Sequence, residues 1–352
     1  MSDPAPDRPG VVTRRTLVVE ASPGDAVDLE ALLAGQRPVI LRGLARDWPL
    51  AQAGLAGPHH AVAYLKRFDA GRPVVGYTGA PEIGGRYFYR DDLQALNFEA
   101  ERVSLSAYLD FTLTLIGTEK PPSLYIGSTD LELYLPGLGQ ENRLNLPEPT
   151  DEDRDPPVVS IWMGNRTTAA THFDMSNNLA CCLVGRRRFT LFPPEQIDNL
   201  YPGPMEPTPG GQVVSVVDFE RPDFDLHPRF ADALASAQTA ELEPGDALFI
   251  PSLWWHHVRS LEPFNVLVNY WWRRSPSVLA SPLPALQHAM WALRDLPPRE
   301  KEAWAAIFDY YVFGPAERAG QHLPEASRGE LAPFDTTQAR RMRARLLALL
   351  NR

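Results

Sequence analysis

Val158-Val-Ser-Ile-Trp-Met163, Thr168-Ala-Ala-Thr-His-Phe-Asp174, Asn178-Leu-Ala-Cys-Cys-Leu-Val184 and Arg187-Arg-Phe-Thr-Leu-Phe192 follow one another almost without pause. Each run is apolar or β-branched, too short for an ordinary helix, and Gly164 and Gly185 punctuate the series. On either side, similar runs stand at 123–127, 213–217, 247–250, 254–260 and 264–272. So many short strands between Leu124 and Trp272 imply a mainly β fold, closed or sandwiched.

The flanks read differently. Residues 14–46 suggest strand, helix, strand; 60–68 a helix; 73–90 strands around a glycine turn. Leu105 to Leu115 has helical spacing with Ser104 as N-cap. Residues 194–235 form a long insertion of ordered loop. Beyond Ser275 the periodicity turns helical at 284–296, 300–312 and 337–350, with Asp335 or Thr336 capping the last. The expected division is a disordered tail at 1–14, one domain at 15–275 and a C-terminal helical region at 276–352. The leucines of that last region, Leu346 and Leu350 among them, need cover. Packing on the chain's own barrel and pairing with a second copy as a homodimer both provide it.

Of 352 residues, 35 are proline, which suits a loop-rich β architecture better than a helical bundle. No stretch reads as a membrane span, and residues 1–15 do not read as a secretory signal. Cys181 and Cys182 are the only cysteines and are adjacent. Their side chains should face opposite ways on a strand, as buried thiols in a reducing, cytoplasmic setting. The net charge of −10 makes nucleic acid a less favoured partner than a protein or a small molecule.

His172 and Asp174 lie two residues apart, and a histidine pair, His256 and His257, follows some eighty residues on. On a strand, residues i and i+2 share a face, so His172 and Asp174 can grip one ion from one side. One of the later histidines supplies the third ligand; by spacing alone either serves. Two imidazoles and a carboxylate leave coordination positions open, which favours iron over a closed structural zinc site. A lone strand histidine is ordinarily structural; here the pairing with Asp174 and the Pro251-Ser-Leu-Trp-Trp-His-His257 context carry the case.

Within Arg186-Arg-Arg188, the central arginine alternates against its neighbours and shares parity with Phe189 and Leu191. A buried Arg187 needs an anion, either a ligand's carboxylate or a protein carboxylate. Asn178 shares parity with His172 and Asp174 and so can line the same cavity, with a turn asparagine as the alternative. Asn269, between Val268 and Tyr270, demands hydrogen-bond partners, and a water network around the metal would supply them. Trp254, Trp255, Trp271 and Trp272 read as packing rather than chemistry. Tyr87, Phe88, Tyr89 and Trp162 fit a substrate cleft or rim packing equally.

Thr171-His-Phe-Asp-Met-Ser-Asn-Asn-Leu179, Gly185-Arg-Arg-Arg-Phe-Thr-Leu-Phe-Pro-Pro194, Leu200-Tyr-Pro-Gly-Pro204, Pro244-Gly-Asp-Ala-Leu-Phe-Ile-Pro251 with its Trp-Trp-His-His run, and Val268-Asn-Tyr-Trp-Trp272 are long, ordered motifs. Together they resemble the cupin-like JmjC group of Fe(II)/2-oxoglutarate oxygenases, in particular the branch with the asparaginyl hydroxylase that inhibits hypoxia-inducible factor. The similarity covers roughly residues 35–275. It implies a double-stranded β-helix, Fe(II) held by His172, Asp174 and His256 as the catalytic triad, and 2-oxoglutarate and O₂ as co-substrates. It selects His256 over His257. It assigns Arg187 to the far carboxylate of 2-oxoglutarate, where the hydroxylase has lysine; arginine offers a bidentate grip there. It places Tyr125, Asn178 and Asn269 beside the co-substrate. A threonine common in the group three residues before the first histidine is Ala169 here, leaving Thr168 or Thr171 to replace it. The resemblance implies a hydroxylase acting on a protein side chain or small molecule, rather than a demethylase. The competing readings are a non-catalytic metal-binding cupin-like module and an RNA-modifying hydroxylase. Four-ligand cupins show His-x-His with a nearby glutamate, which this chain lacks.

Overall fold

The computed structural model describes residues 12–146 and 155–351, and two compact units separate between Arg273 and Arg274. Strands account for most of the first. In chain order they are β1 (Leu17–Glu20), β2 (Val39–Arg42), β3 (Val74–Gly79), β4 (Arg86–Tyr87), β5 (Phe98–Val103), β6 (Ser123–Asp130) and β7 (Val158–Gly164). The rest are β8 (Thr168–Phe173), β9 (Asn177–Val184), β10 (Arg187–Phe192), β11 (Gln238–Leu242), β12 (Ala247–Ile250), β13 (Trp255–Ser260) and β14 (Asn265–Trp272).

The large sheet runs β1-β2-β12-β9-β14-β7-β6-β3-β5 and the small one β11-β10-β13-β8-β4. From β7 onward the chain passes repeatedly between them. β7, β9, β12 and β14 lie in the large sheet; β8, β10, β11 and β13 lie in the small one. This antiparallel alternation makes a double-stranded β-helix.

Strand β9 explains how the layers hold together. Every one of its residues is buried, as befits a central strand covered on both faces. Ala180 and Cys182 join Phe189, Leu191, Leu248 and Leu267 in a cluster that draws on both sheets. Leu179, Cys181 and Leu183 turn the other way, into the larger core shared with α1 (Leu29–Gly35), α2 (Pro49–Ala56), α3 (Pro58–Lys66) and α4 (Leu105–Thr114). The two thiols are therefore free and on opposite faces, as expected. Each fully buried leucine or phenylalanine in these layers contributes roughly 2 kcal/mol. Ser104 caps α4 by accepting a hydrogen bond from the Ala107 amide. Short helices α5 (Leu131–Tyr134), α6 (Leu138–Glu141) and α7 (Phe230–Ser236) complete this unit.

Some expectations need correction. Residues 213–217 are not a strand. Val214 and Ser215 make isolated bridges to His172 and Pro202, and Gly210 and Gly211 keep the segment in a loop. Strands β5 and β11 were not legible. Phe98-Glu-Ala-Glu-Arg-Val103 is a charged edge strand whose apolar alternation stops at Phe98 and Ala100. The tail expected at 1–14 lies, for residues 1–11, outside the described residues. Arg14 and Thr16 are tied to Thr239 by backbone hydrogen bonds.

The second unit contains α8 (Pro282–Leu293), α9 (Pro298–Phe308) with a π turn over Asp309–Phe313, and α10 (Thr336–Leu350). Asp335 caps α10, accepting from the Gln338 amide at 2.7 Å. Among the described residues, no helix is long and apolar enough to cross a membrane.

Candidate metal centre

Strands β8 and β13 are antiparallel neighbours, and their register sets His172 directly opposite His256. The two imidazole centroids are 4.3 Å apart. Asp174, just past the end of β8, places a carboxylate oxygen 3.7 Å from Nε2 of His256. One ligand atom from each of the three residues lies within 4.8 Å of the others. Nδ1 of His172 faces the Ala170 carbonyl at 2.7 Å, and Nδ1 of His256 faces the Trp254 carbonyl at 3.0 Å. With Nδ1–H donating in both rings, both Nε2 lone pairs are left for a metal. Burial first, then the neighbouring His172, pushes the His256 imidazole down to about 4, so it is neutral at physiological pH, as a ligand must be. The loop after β12 is pinned to this site: the Leu253 amide donates to the Asp174 carbonyl and the Ser252 hydroxyl to that of Met175.

His257 points away from the triad. It is buried against Phe219, with ring centroids 4.6 Å apart. Strand alternation thus separates the two adjacent histidines into a ligand position and a packing position.

The triad opens into a cavity of about 580 Å³. Arg187 enters it from β10, whereas Arg186 and Arg188 turn outward to ion-pair with Glu262 and Glu241. Arg187 is only 4% exposed, and its Nε and Nη2 have no hydrogen-bond partner among the described residues. Burial lowers its proton affinity, with Tyr125 and Cys182 opposing that trend. A buried guanidinium with unsatisfied donors and no paired carboxylate is built to receive an anion. Tyr125 lines the same cavity. Burial pushes its phenol up to about 12 despite the pull of Arg187, so it remains a protonated donor.

Asn178, Asn269 and Thr168 also line the cavity, and Thr171 does not. The Asn269 side-chain carbonyl accepts from the Trp162 indole at 2.8 Å, and its amide donates to Asn178 at 3.3 Å. Its protein partners are therefore side chains of the wall. Tyr87 and Trp162 line the cavity, while Phe88 and Tyr89 pack in a separate cluster. Of the four tryptophans expected only to pack, Trp271 departs: it lines the cavity, and its buried indole N–H has no acceptor among the described residues.

Sequence reasoning missed Ser260, Trp271, Arg273 and the loop Thr208–Gln212, all of which line the cavity. Alternation from residues already identified reaches three of them. Ser260 is in phase with His256, and Trp271 and Arg273 are in phase with Asn269. The loop carries no such signal.

Residues 25–278 match the family model described as a cupin-like domain. The chain is 30% identical over 244 residues to lysine-specific demethylase 8 of Danio rerio, covering 67% of this chain and 53% of that protein. It is 31% identical over 164 residues to tRNA wybutosine-synthesizing protein 5 of Danio rerio, covering 42% and 45%. To human HSPB1-associated protein 1 it is 34% identical over 265 residues, covering 69% and 49%. The chain spans about half the length of these curated relatives.

Proposed function

The chain belongs to the cupin-like, JmjC-type domain family, and on that footing we propose that it is an Fe(II)- and 2-oxoglutarate-dependent oxygenase, a hydroxylase of a protein side chain or a small molecule. The observation that carries this reading is Arg187, a buried cation with free donors in the same cavity as an open two-histidine, one-carboxylate set. A dicarboxylate that chelates the metal at one end and meets Arg187 at the other satisfies both.

His172, Asp174 and His256 would hold the ion from one side and leave its remaining positions free for ligands. Arg187 binds the far carboxylate, with the Tyr125 hydroxyl and Ser260 beside it. Ser260 sits opposite Arg187 in the β10–β13 register. Asn178, Asn269 and Trp162 brace one another and fix the wall. The aromatic wall keeps water from the reacting centre. Ferrous iron with 2-oxoglutarate and O₂ supplies the oxidising power that hydroxylates a C–H bond; the protein's part is to bind, orient and exclude water.

Protein loaded anaerobically with Fe(II) and 2-oxoglutarate should show the weak visible charge-transfer band of a chelated keto acid. His172→Ala should abolish it. Wild-type protein without that band would sink the reading.

The partner of the helical region is part of the same proposal. Among residues 274–351 only Ala319 and Gly320 are buried, and a second copy of the chain would cover the apolar faces of α8 to α10.

A further inference from the structure

Arg187 and Arg273 are the cavity's two cationic side chains, and Asp174 is the one carboxylate among the described lining residues. Asp174 belongs to the metal centre and Arg187 to the dicarboxylate. Arg273 belongs to neither. It is exposed and forms no ion pair or hydrogen bond among the described residues. Its position follows from strand alternation: Leu267, Asn269, Trp271 and Arg273 present successive side chains to the cavity from β14 and its end. Asn269 is satisfied by Trp162 and Asn178. Trp271, one step farther out, keeps a buried N–H without an acceptor. One more step out stands the unpaired guanidinium, about 7 Å along the strand.

We infer that Arg273 reads an anionic group, a carboxylate or a phosphate, on the primary substrate, and that this group lies outward of the part held against Trp271. This rests on the oxygenase reading, since it assumes that the metal and Arg187 are already occupied. The charges then decide the substrate class. A metal dication, Asp174, a 2-oxoglutarate dianion and Arg187 cancel, which leaves Arg273 as the uncompensated charge. A cationic group such as a methylated lysine ammonium finds no carboxylate on the wall to pair with, and it meets a like charge at the mouth. The body of the substrate lies against rings: Tyr77, Tyr87, Phe98, Tyr125, Trp162 and Trp271 form a chain of neighbours with centroids 5.0 to 6.4 Å apart. Such a wall accepts an apolar or flat group, and because ring faces attract cations, a preference for an anion has to come from Arg273.

The test uses three probes with one ring and different charge: phenylacetate, phenylacetamide and phenethylammonium. Each is titrated calorimetrically into full-length protein holding Fe(II) and 2-oxoglutarate under argon. The visible band of the same sample reports the co-substrate independently. Phenylacetate should bind about three- to fivefold more tightly than the amide, the range of a solvent-exposed ion pair, and the ammonium should bind weakest. Phenyl phosphate in place of phenylacetate ranks the two anion sources. R273Q should level the acid and the amide while keeping the band, and R273K should restore the difference. Equal binding of the acid and the amide by wild-type protein, an unchanged ratio in R273Q, or no binding of any probe would each overturn the inference. In all three cases a persisting band leaves the oxygenase reading standing, and loss of the band in wild-type protein defeats that reading instead.

Discussion

The cavity of the β unit and the helices beyond Arg273 both present groups without partners, but of opposite kinds. In the cavity they are polar and buried: Nε and Nη2 of Arg187 and Nε1 of Trp271. On the helices, apart from the buried Gln338 Oε1, they are apolar and exposed: Trp291 is 78% exposed and Phe313 76%. A buried donor without an acceptor costs free energy that a small ligand recovers by bonding. An exposed aromatic face costs free energy that only a surface of comparable area can recover. On the proposed reading, the first is met by a ligand of a few atoms and the second by a macromolecular neighbour.

The polar half stands or falls with Arg187. Arg187→Ala should weaken 2-oxoglutarate binding by about 100-fold, the loss expected when one half of a buried charge pair is removed. Arg187→Lys should recover part of it. The ligand-free protein should respond in the opposite sense: Arg187→Leu removes an uncompensated buried charge and should leave the melting temperature unchanged or raise it. Destabilised ligand-free protein would show that Arg187 has a structural partner, and the polar half of the comparison would fail.

His257 is a second buried titratable group, on the other face of β13. It is buried like Arg187, yet it faces Phe219 rather than a cavity, so it copes by staying neutral. Burial, then Arg86 and Arg259, then His172 and His256, push it down from 6.5 to about 3. The unfolded chain therefore takes up this proton first. Stability is intact above pH 6.5 and falls as pH drops toward 3, by about 2 kcal/mol between pH 6.5 and 5 for this one group. Urea melts of metal-free protein at pH 7 and pH 5 should show the loss, and His257→Phe should reduce it by about that amount. An unaltered pH dependence in the variant would mean that His257 is protonated in the folded state.

These residues also show what a sequence discloses. Alternation within β10 was enough to single out Arg187 from its neighbours, because its period is set by backbone geometry and both flanking arginines find exposed acids. His172 and Asp174 were legible for the same reason. The choice between His256 and His257 was not, since alternation separates adjacent residues without saying which face holds the cavity. That face was fixed by the β8–β13 register, a long-range pairing. Trp271 read as packing because an indole's ring and its N–H give one letter in the sequence, and only burial shows that the N–H lacks an acceptor. β5 escaped because an edge strand carries charge on residues that a buried strand would make apolar. The strand expected at 213–217 failed for the converse reason: Val-Val-Ser-Val-Val has strand propensity, but it pairs only through isolated bridges at Val214 and Ser215.

The smallest energetic effect tests the apolar half. Leu346 and Leu350 lie one helical turn apart on α10, 44% and 48% exposed. Replacing both with lysine should alter the stability of an isolated chain by no more than about 0.5 kcal/mol, because neither side chain is buried. Lysine forms helix as well as leucine, and a cation near a helix C-terminus is favoured by the dipole, so α10 itself should persist. A change in assembly would therefore come from the lost apolar face and not from a melted helix. Wild-type protein at micromolar concentration should scatter light as two chains, the double variant as one, with unchanged helical circular dichroism. A wild-type mass of one chain would reject the second copy as the cover for these leucines, while the contrast between orphaned donors and bare leucines would still require a different protein surface to supply it.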